Sequence, residues 1–323
     1  MTGAAAGLAA AVRTAAGRLR GLVVETPTVG CPWLSAATGG EVRLKLDNVQ
    51  DTGSFKLRGA THALLGLSAA PRAAGVVAAS SGNHGLGLAA ACRRLGIAAT
   101  VFVPSTTPAP KRDAIARLGA EVIVHGDDCV VTEQHAREVA GRTARPYISP
   151  YNDLAVVAGQ GTVGVELLAQ WPDVEVVYVA LGGGGLIAGM AAFVKSVRPA
   201  VEFVACSPAA SPAMAECVRV GRIVDVPCHD TLSDSTAGGV EPGAVTFPLC
   251  RELVDRYVDV DEPAIANALL AMLEHQHLLI EGAAAVAVAG LLADPVLCGR
   301  KAAVVVCGGN LPLATLRRLL GSR

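Results

Sequence analysis

Val174-Glu175-Val176-Val177-Tyr178-Val179-Ala180-Leu181-Gly182-Gly183-Gly184-Gly185-Leu186 is the stretch on which the fold turns. Residues 174–181 are almost continuously apolar and β-branched, as in a strand covered on both faces. Four glycines then allow a tight turn, and Leu186–Ser196 reads as a helix. Strand, glycine turn and helix in that order make one unit of a parallel α/β sheet. Further units flank it. Upstream, Val76–Ser80 reads as a strand and His84–Leu95 as a helix. Thr100–Pro104, Ala109–Leu118, Glu121–His125 and Val130–Gly141 then alternate strand and helix, and Gly161–Gln170 is a helix. Downstream come the strand Val201–Cys206, the long helix Glu262–Leu279, the strand Ala302–Cys307 and a terminal helix from Leu313. Val220–Phe247, rich in Gly, Pro, Asp and Ser, reads as loop. Two such series without a linker imply two interlocked α/β domains with a ligand cleft.

Composition agrees with a packed globule. The 323 residues are 52% hydrophobic and 17% charged, with 36 glycines. A net charge of −1, with no basic run longer than Arg18-Leu19-Arg20, argues against nucleic acid and anionic membrane partners. Apolar runs such as Val176–Leu181 and Ala283–Ala293 fall short of the roughly 20 residues of a spanning helix. Nine cysteines, at 31, 92, 129, 206, 217, 228, 250, 298 and 307, include no Cys-x-x-Cys. Their odd count and scatter speak against a disulfide framework or zinc site and for reduced thiols in a cytoplasm. Met1–Arg20, rich in Ala and Arg, fits an amphipathic first helix better than a transit peptide.

Four stretches carry chemistry. Lys56 lies in Thr52-Gly53-Ser54-Phe55-Lys56-Leu57-Arg58, where a turn leads into a helix and Phe55 offers an apolar wall. Burying an amine depresses its pKa, which suits a nucleophilic lysine. Ser80-Ser81-Gly82-Asn83-His84-Gly85 follows a strand and opens a helix, so its amides suit an anion such as a substrate carboxylate. Its ordinary reading is a helix cap. Gly182–Gly185 would let backbone wrap a phosphate with a helix N-terminus behind it. Gly183-x-Gly185-x-x-Ala188, with Glu202 downstream, also fits a relaxed dinucleotide fingerprint, although Glu202 opens its strand instead of ending it. The fourth, Val304–Asn310, is a strand ending at a thiol and two glycines, and a buried structural cysteine would explain it equally well.

Together, Thr52–Ala60, Ser81–Gly85, the tetraglycine turn, Glu281-Gly282-Ala283 and Cys307-Gly308-Gly309-Asn310 resemble the fold-type-II pyridoxal-phosphate (PLP) enzymes. The resemblance covers nearly the whole chain and lies in the threonine/serine dehydratase and serine racemase branch. It implies a tryptophan synthase β-like fold of two three-layer domains. Residues 1–66 and 156–323 would form the large one and 67–155 the small one. It implies further that Lys56 holds PLP as a Schiff base and then acts as the base at the substrate α-carbon. Phe55 would pack near the ring, Asn83 bond its 3′-oxygen, and Gly182, Gly183, Gly184, Gly185 and Leu186 cradle the phosphate. Glu281 would border the cofactor and Cys307 lie beside the ring nitrogen. Ser80, Ser81, Gly82, Asn83 and His84 would form the substrate side, Ser81 also serving as acid/base in a racemase. Lys56-Leu57-Arg58, where related β-replacement enzymes have Lys-Asp-Arg, favours elimination of water.

The chain also departs from the family pattern. Cys206-Ser207-Pro208-Ala209-Ala210-Ser211 offers no carboxylate where relatives hold a divalent cation, so no metal is expected. Ala237-Gly238-Gly239 stands where relatives often read Ala-Asp-Gly, which removes a carboxylate near the substrate. The short stretch after Asn310 leaves no room for an amino-acid-sensing domain. Asp234–Gly243 looks like the hydroxyectoine-utilisation dehydratases, whose substrates are 3-hydroxy relatives of diaminobutyrate. The expected activity is β-elimination of a small hydroxy-amino acid to a 2-oxo acid and ammonia by a homodimer. The alternatives are a racemase and a nicotinamide-dependent oxidoreductase.

Overall fold

The computed structural model describes residues 1–296 and 299–321, so Cys298 and the last two residues of the expected large unit lie outside it. In chain order the strands are β1 (Thr28–Gly30), β2 (Glu41–Leu46), β3 (Val76–Ala79), β4 (Ala99–Val103), β5 (Glu121–Val124), β6 (Val176–Ala180), β7 (Glu202–Pro208), β8 (Arg256–Val260) and β9 (Lys301–Val306). They form a six-stranded sheet ordered β1-β2-β9-β6-β7-β8 and a three-stranded sheet ordered β3-β4-β5. The small sheet is one contiguous piece of chain. The large one draws on both sides of it.

All pairings are parallel except β1 with β2, which corrects the expectation of wholly parallel sheets at that edge. β1, β2 and β8 are additions to the strands expected from sequence. β2, Glu-Val-Arg-Leu-Lys-Leu, alternates apolar and charged residues and looks solvent-facing, yet Lys45 is fully buried. β8, Arg-Tyr-Val-Asp-Val, also mixes charged with apolar residues and lies on the other edge.

The helix expected from Gly161 starts at Leu154, where Asp153 Oδ1 accepts from the Ala155 N–H at 2.7 Å. Gly159 and Gly161 are not breakers but points of helix contact. A Cβ on Gly159 would lie 2.7 Å from the Arg58 carbonyl, and one on Gly161 2.7 Å from the Gly189 carbonyl. The helix Leu154–Gln170 is thereby pressed against both the helix Lys56–Leu65 and the helix Gly185–Val197. The first helix, Gly3–Leu19, buries Ala5, Leu8, Val12, Ala15 and Leu19 on one face, as an amphipathic helix should. The apolar helix Gly282–Ala293 is buried through Leu291 and packs across β6 to β9.

Residues 221–245 contain neither helix nor strand, as their composition implies. Among the described residues no helix is long and apolar enough to cross a membrane. The described cysteines are free thiols.

Candidate active site

β2, β9 and β6 run parallel, so the turns after Leu46, Val306 and Ala180 emerge on one side of the large sheet. The turn after β3 faces the same crevice. Lys56 is set there by a backbone clasp. Phe55 N–H donates to the Cys307 carbonyl at 3.0 Å, and Gly309 N–H to the Gly53 carbonyl at 2.9 Å. Gly53 adopts φ +72°, and a Cβ there would meet Asn310 Oδ1 at 2.6 Å. One turn into the helix, the buried Arg58 pairs with Asp47 through Nε at 2.7 Å and with Glu166 through Nη1 at 2.5 Å. Lys45 Nζ joins the same Glu166 at 2.7 Å. Two cations and two carboxylates thus balance beneath the lysine.

Lys56 Nζ donates to the Pro150 carbonyl at 2.9 Å and lies 5.1 Å from the centre of the Phe55 ring. Burial lowers its pKa to about 8, although Cys307 and Glu281 pull the other way. Burial pushes the Cys307 thiol far above the ordinary thiol range, so it is neutral. Glu281, 3% exposed, is also raised by burial. Asn83 Nδ2 donates to Glu281 Oε1 and Oε2 at 2.8 and 3.0 Å, and Asn83 Oδ1 accepts from Asn310 Nδ2 at 2.7 Å.

Phe55, Lys56, Asn83, residues 182–186, Glu281 and Cys307 wall one cavity. Ser80, Ser81, Gly82 and His84 are not part of that wall but form the adjoining turn after β3. His84 is buried, and its Nε2 donates to the Ile148 carbonyl at 2.8 Å. Burial and the Lys56 charge lower its pKa to about 3. The imidazole is therefore neutral.

Tyr151, Ser235 and Thr236 also line the cavity; no sequence signal marks Tyr151, and Ser235 and Thr236 stand out only through the family likeness of residues 234–243. They sit in irregular segments without periodicity, and the Tyr151 hydroxyl is held there by the distant Glu241 N–H at 2.9 Å. Asp234, next to Ser235, is exposed and pairs with Lys111 at 3.2 Å, outside that wall. Glu202 is ion-paired with Arg300 at 3.0 Å where β7 starts, at the opposite end of the sheet from the glycine turn. It cannot serve as the ribose acid of a dinucleotide site there.

The cavity wall suits a phosphate-bearing aldehyde. No side chain caps the helix Gly185–Val197, so its first-turn amides are left for an anion. A Cβ on Gly183 would lie 2.3 Å from the Tyr151 ring, so only glycine lets backbone and ring close on one another. The desolvated amine of Lys56 is the partner an aldehyde needs.

Fold and site together define a two-sheet α/β enzyme built to carry such a cofactor on a lysine. The chain belongs to the pyridoxal-phosphate dependent enzyme family, whose model matches residues 19–308. The L-threonine ammonia-lyase of Thermotoga maritima is 40% identical over 309 residues, 96% of this chain and 77% of that protein. The catabolic L-threonine dehydratase TdcB of Escherichia coli is 37% identical over 307 residues, 94% and 93% of the two chains. The structure of maize serine racemase superposes with a TM-score of 0.91 at 30% identity, covering 97% and 96%.

Proposed function

We propose that this PLP enzyme removes the β-hydroxyl of L-threonine or L-serine, or of a 3-hydroxy-diaminobutyrate, to give a 2-oxo acid and ammonia. The observation that carries the reading is the desolvated Lys56 amine set beside a neutral Cys307 thiol. Threonine ammonia-lyase and dehydratase relatives across nearly the full chain support it.

When bound, the cofactor supplies an electron sink for the bond broken at the substrate α-carbon. Lys56 Nζ would hold the cofactor and then take the α-proton. The 182–186 turn would bind the phosphate through its amides, with Phe55 against the ring and Asn83 at the ring oxygen. Ser81 and the uncapped amides opening the helix Asn83–Leu95 would hold the substrate carboxylate. Cys307, lacking charge, would not keep the ring nitrogen protonated, so the electron sink would be shallower, which favours prompt loss of the β-hydroxyl as water over return of a proton. Loss of water leaves an enamine, whose hydrolysis yields the oxo acid and ammonia.

The division into a large unit of residues 1–66 and 156–323 and a small unit of residues 67–155 fits the two sheets, and their crevice would be the substrate path. A cytoplasmic location fits the free thiols among the described residues, and a homodimer follows from the family resemblance alone.

The test is 2-oxo acid release from a panel of L- and D-serine, threonine, 3-hydroxyaspartate and 3-hydroxy-diaminobutyrate, with Lys56→Ala in parallel. Turnover that disappears in the variant supports elimination. PLP-loaded protein that interconverts enantiomers and releases no oxo acid would make it a racemase.

A further inference from the structure

Asn310 stands where the segments bearing Lys56, Asn83 and Glu281 meet. Its Nδ2 donates to the Thr52 carbonyl at 2.9 Å and to Asn83 Oδ1 at 2.7 Å, and its backbone N–H donates to Glu281 Oε2 at 3.2 Å. Asn310 is itself exposed, whereas Asn83 and Glu281 are buried. Core packing therefore does not account for its contacts.

A carboxamide fits its site in two orientations of nearly equal shape that differ only in which end donates. Asn83 must turn Nδ2 toward Glu281 and the cavity if it is to offer a donor there. Glu281 does not enforce this alone. Burial raises its pKa, and once protonated it would donate to an inverted Asn83 just as well. The Thr52 carbonyl, by contrast, can only accept. It requires Asn310 to present Nδ2, and that Nδ2 in turn requires Asn83 to present Oδ1. A backbone carbonyl thus sets one amide, and that amide sets the next.

We propose that Asn310 is the positioning residue that fixes the amide orientation of Asn83, so that an N–H and not a carbonyl oxygen is offered to the cavity. The inference rests on reading that cavity as the PLP site.

Asn310→Asp keeps the shape and removes both side-chain donations, and Asn310→Ala removes them without adding charge. Each would be compared with Asn83→Ala and with Asn83→Ala/Asn310→Ala in the PLP-loaded enzyme. The readouts are the long-wavelength absorption of the bound cofactor and its pH titration, kcat and KM, and the melting temperature of the cofactor-free protein. Both Asn310 variants should shift the absorption toward that of Asn83→Ala. They should lower kcat roughly tenfold to a hundredfold, as loss of an orienting partner does elsewhere, with a much smaller change in KM. Melting of the cofactor-free protein should not move, and the double variant should be no worse than Asn83→Ala alone.

Additive losses in the double variant would overturn the inference. So would a parent-like spectrum and kcat in both Asn310 variants, or a melting temperature that falls in step with kcat. A parent protein that takes up no PLP overturns the functional reading and this inference with it. Normal loading with additive losses overturns this one alone.

Discussion

Arg58 and Glu166 meet end-on, Nη1 to Oε1 at 2.5 Å and Nη2 to Oε2 at 2.9 Å, which fastens the Lys56 helix to the helix Leu154–Gln170. Asp47 takes the other edge of the same guanidinium, at 2.7 and 2.9 Å. Arg58 is wholly enclosed, and so are Asp47 and Lys45. Removing Arg58 would strand carboxylates in a dry setting, so Arg58→Leu should cost about 3–5 kcal/mol. Arg58→Lys should also be costly, since a point charge cannot span both carboxylates. Urea unfolding of the cofactor-free protein measures this, and a loss near zero for both variants would refute the role assigned to the network.

The Lys56 amine, with its pKa near 8, is mostly protonated at pH 7 and mostly free base at pH 9. Only the free base attacks an aldehyde. The rate of PLP uptake by cofactor-free protein should therefore climb about tenfold per pH unit below 8 and level off above it. Stopped-flow absorbance would follow the uptake. A rate that keeps climbing to pH 10 would mean the amine is not desolvated.

Two glycine substitutions should have opposite signs. A Cβ added to Gly7, in the first helix, would meet nothing within 4 Å, and Gly7→Ala should add roughly 0.5–1 kcal/mol from helix propensity. Gly159→Ala would drive its methyl to 2.7 Å from the Arg58 carbonyl and Gly59 Cα, backbone atoms with little freedom to yield. It should cost about 1–3 kcal/mol or more. Thermal melts of the two variants would settle the contrast, and equal shifts would contradict the close helix crossing.

Cys307 offers a chemical prediction. Cys307→Ser keeps a small neutral group and should retain elimination. Cys307→Asp would add a carboxylate near Glu281 and favour a charged ring nitrogen. Oxo acid release should then fall at least about tenfold, some 1.4 kcal/mol of barrier, while proton return at the α-carbon gains. Chiral analysis beside the oxo-acid assay reads both. Unchanged partition in Cys307→Asp would show that the thiol's neutrality does not direct the outcome.

The segments that supply Lys56, Asn83, residues 182–186 and Cys307 are legible because each sits where a strand end or helix start is marked by Gly, Ser or Asn, whereas Glu281 enters only through the family resemblance. Local pattern marks such places. Tyr151 and Thr236 give no local signal, because contacts with remote chain hold them in place. Residues 234–236 stand out only as part of a family likeness, because a loop without period offers no register. β2 is hidden by Lys45, whose burial makes sense only once Glu166, far along the chain, is seen to face it. The early start of the helix at Leu154 is obscured by glycines that look like punctuation and are instead contact surfaces.

The pairing of β2 with β9 sets residue 41 beside residue 301. On the ribosome, the contiguous β3–β5 sheet can close soon after it emerges, whereas β2 must wait for nearly the whole chain before its neighbour is made. The backbone clasp between Gly53–Phe55 and Cys307–Gly309 waits with it. A nascent chain therefore carries Lys56 as an ordinary, unshielded side chain until residues 301–309 have been made. The reactive amine comes into being only once that strand is in place, so a product terminated before it would lack it.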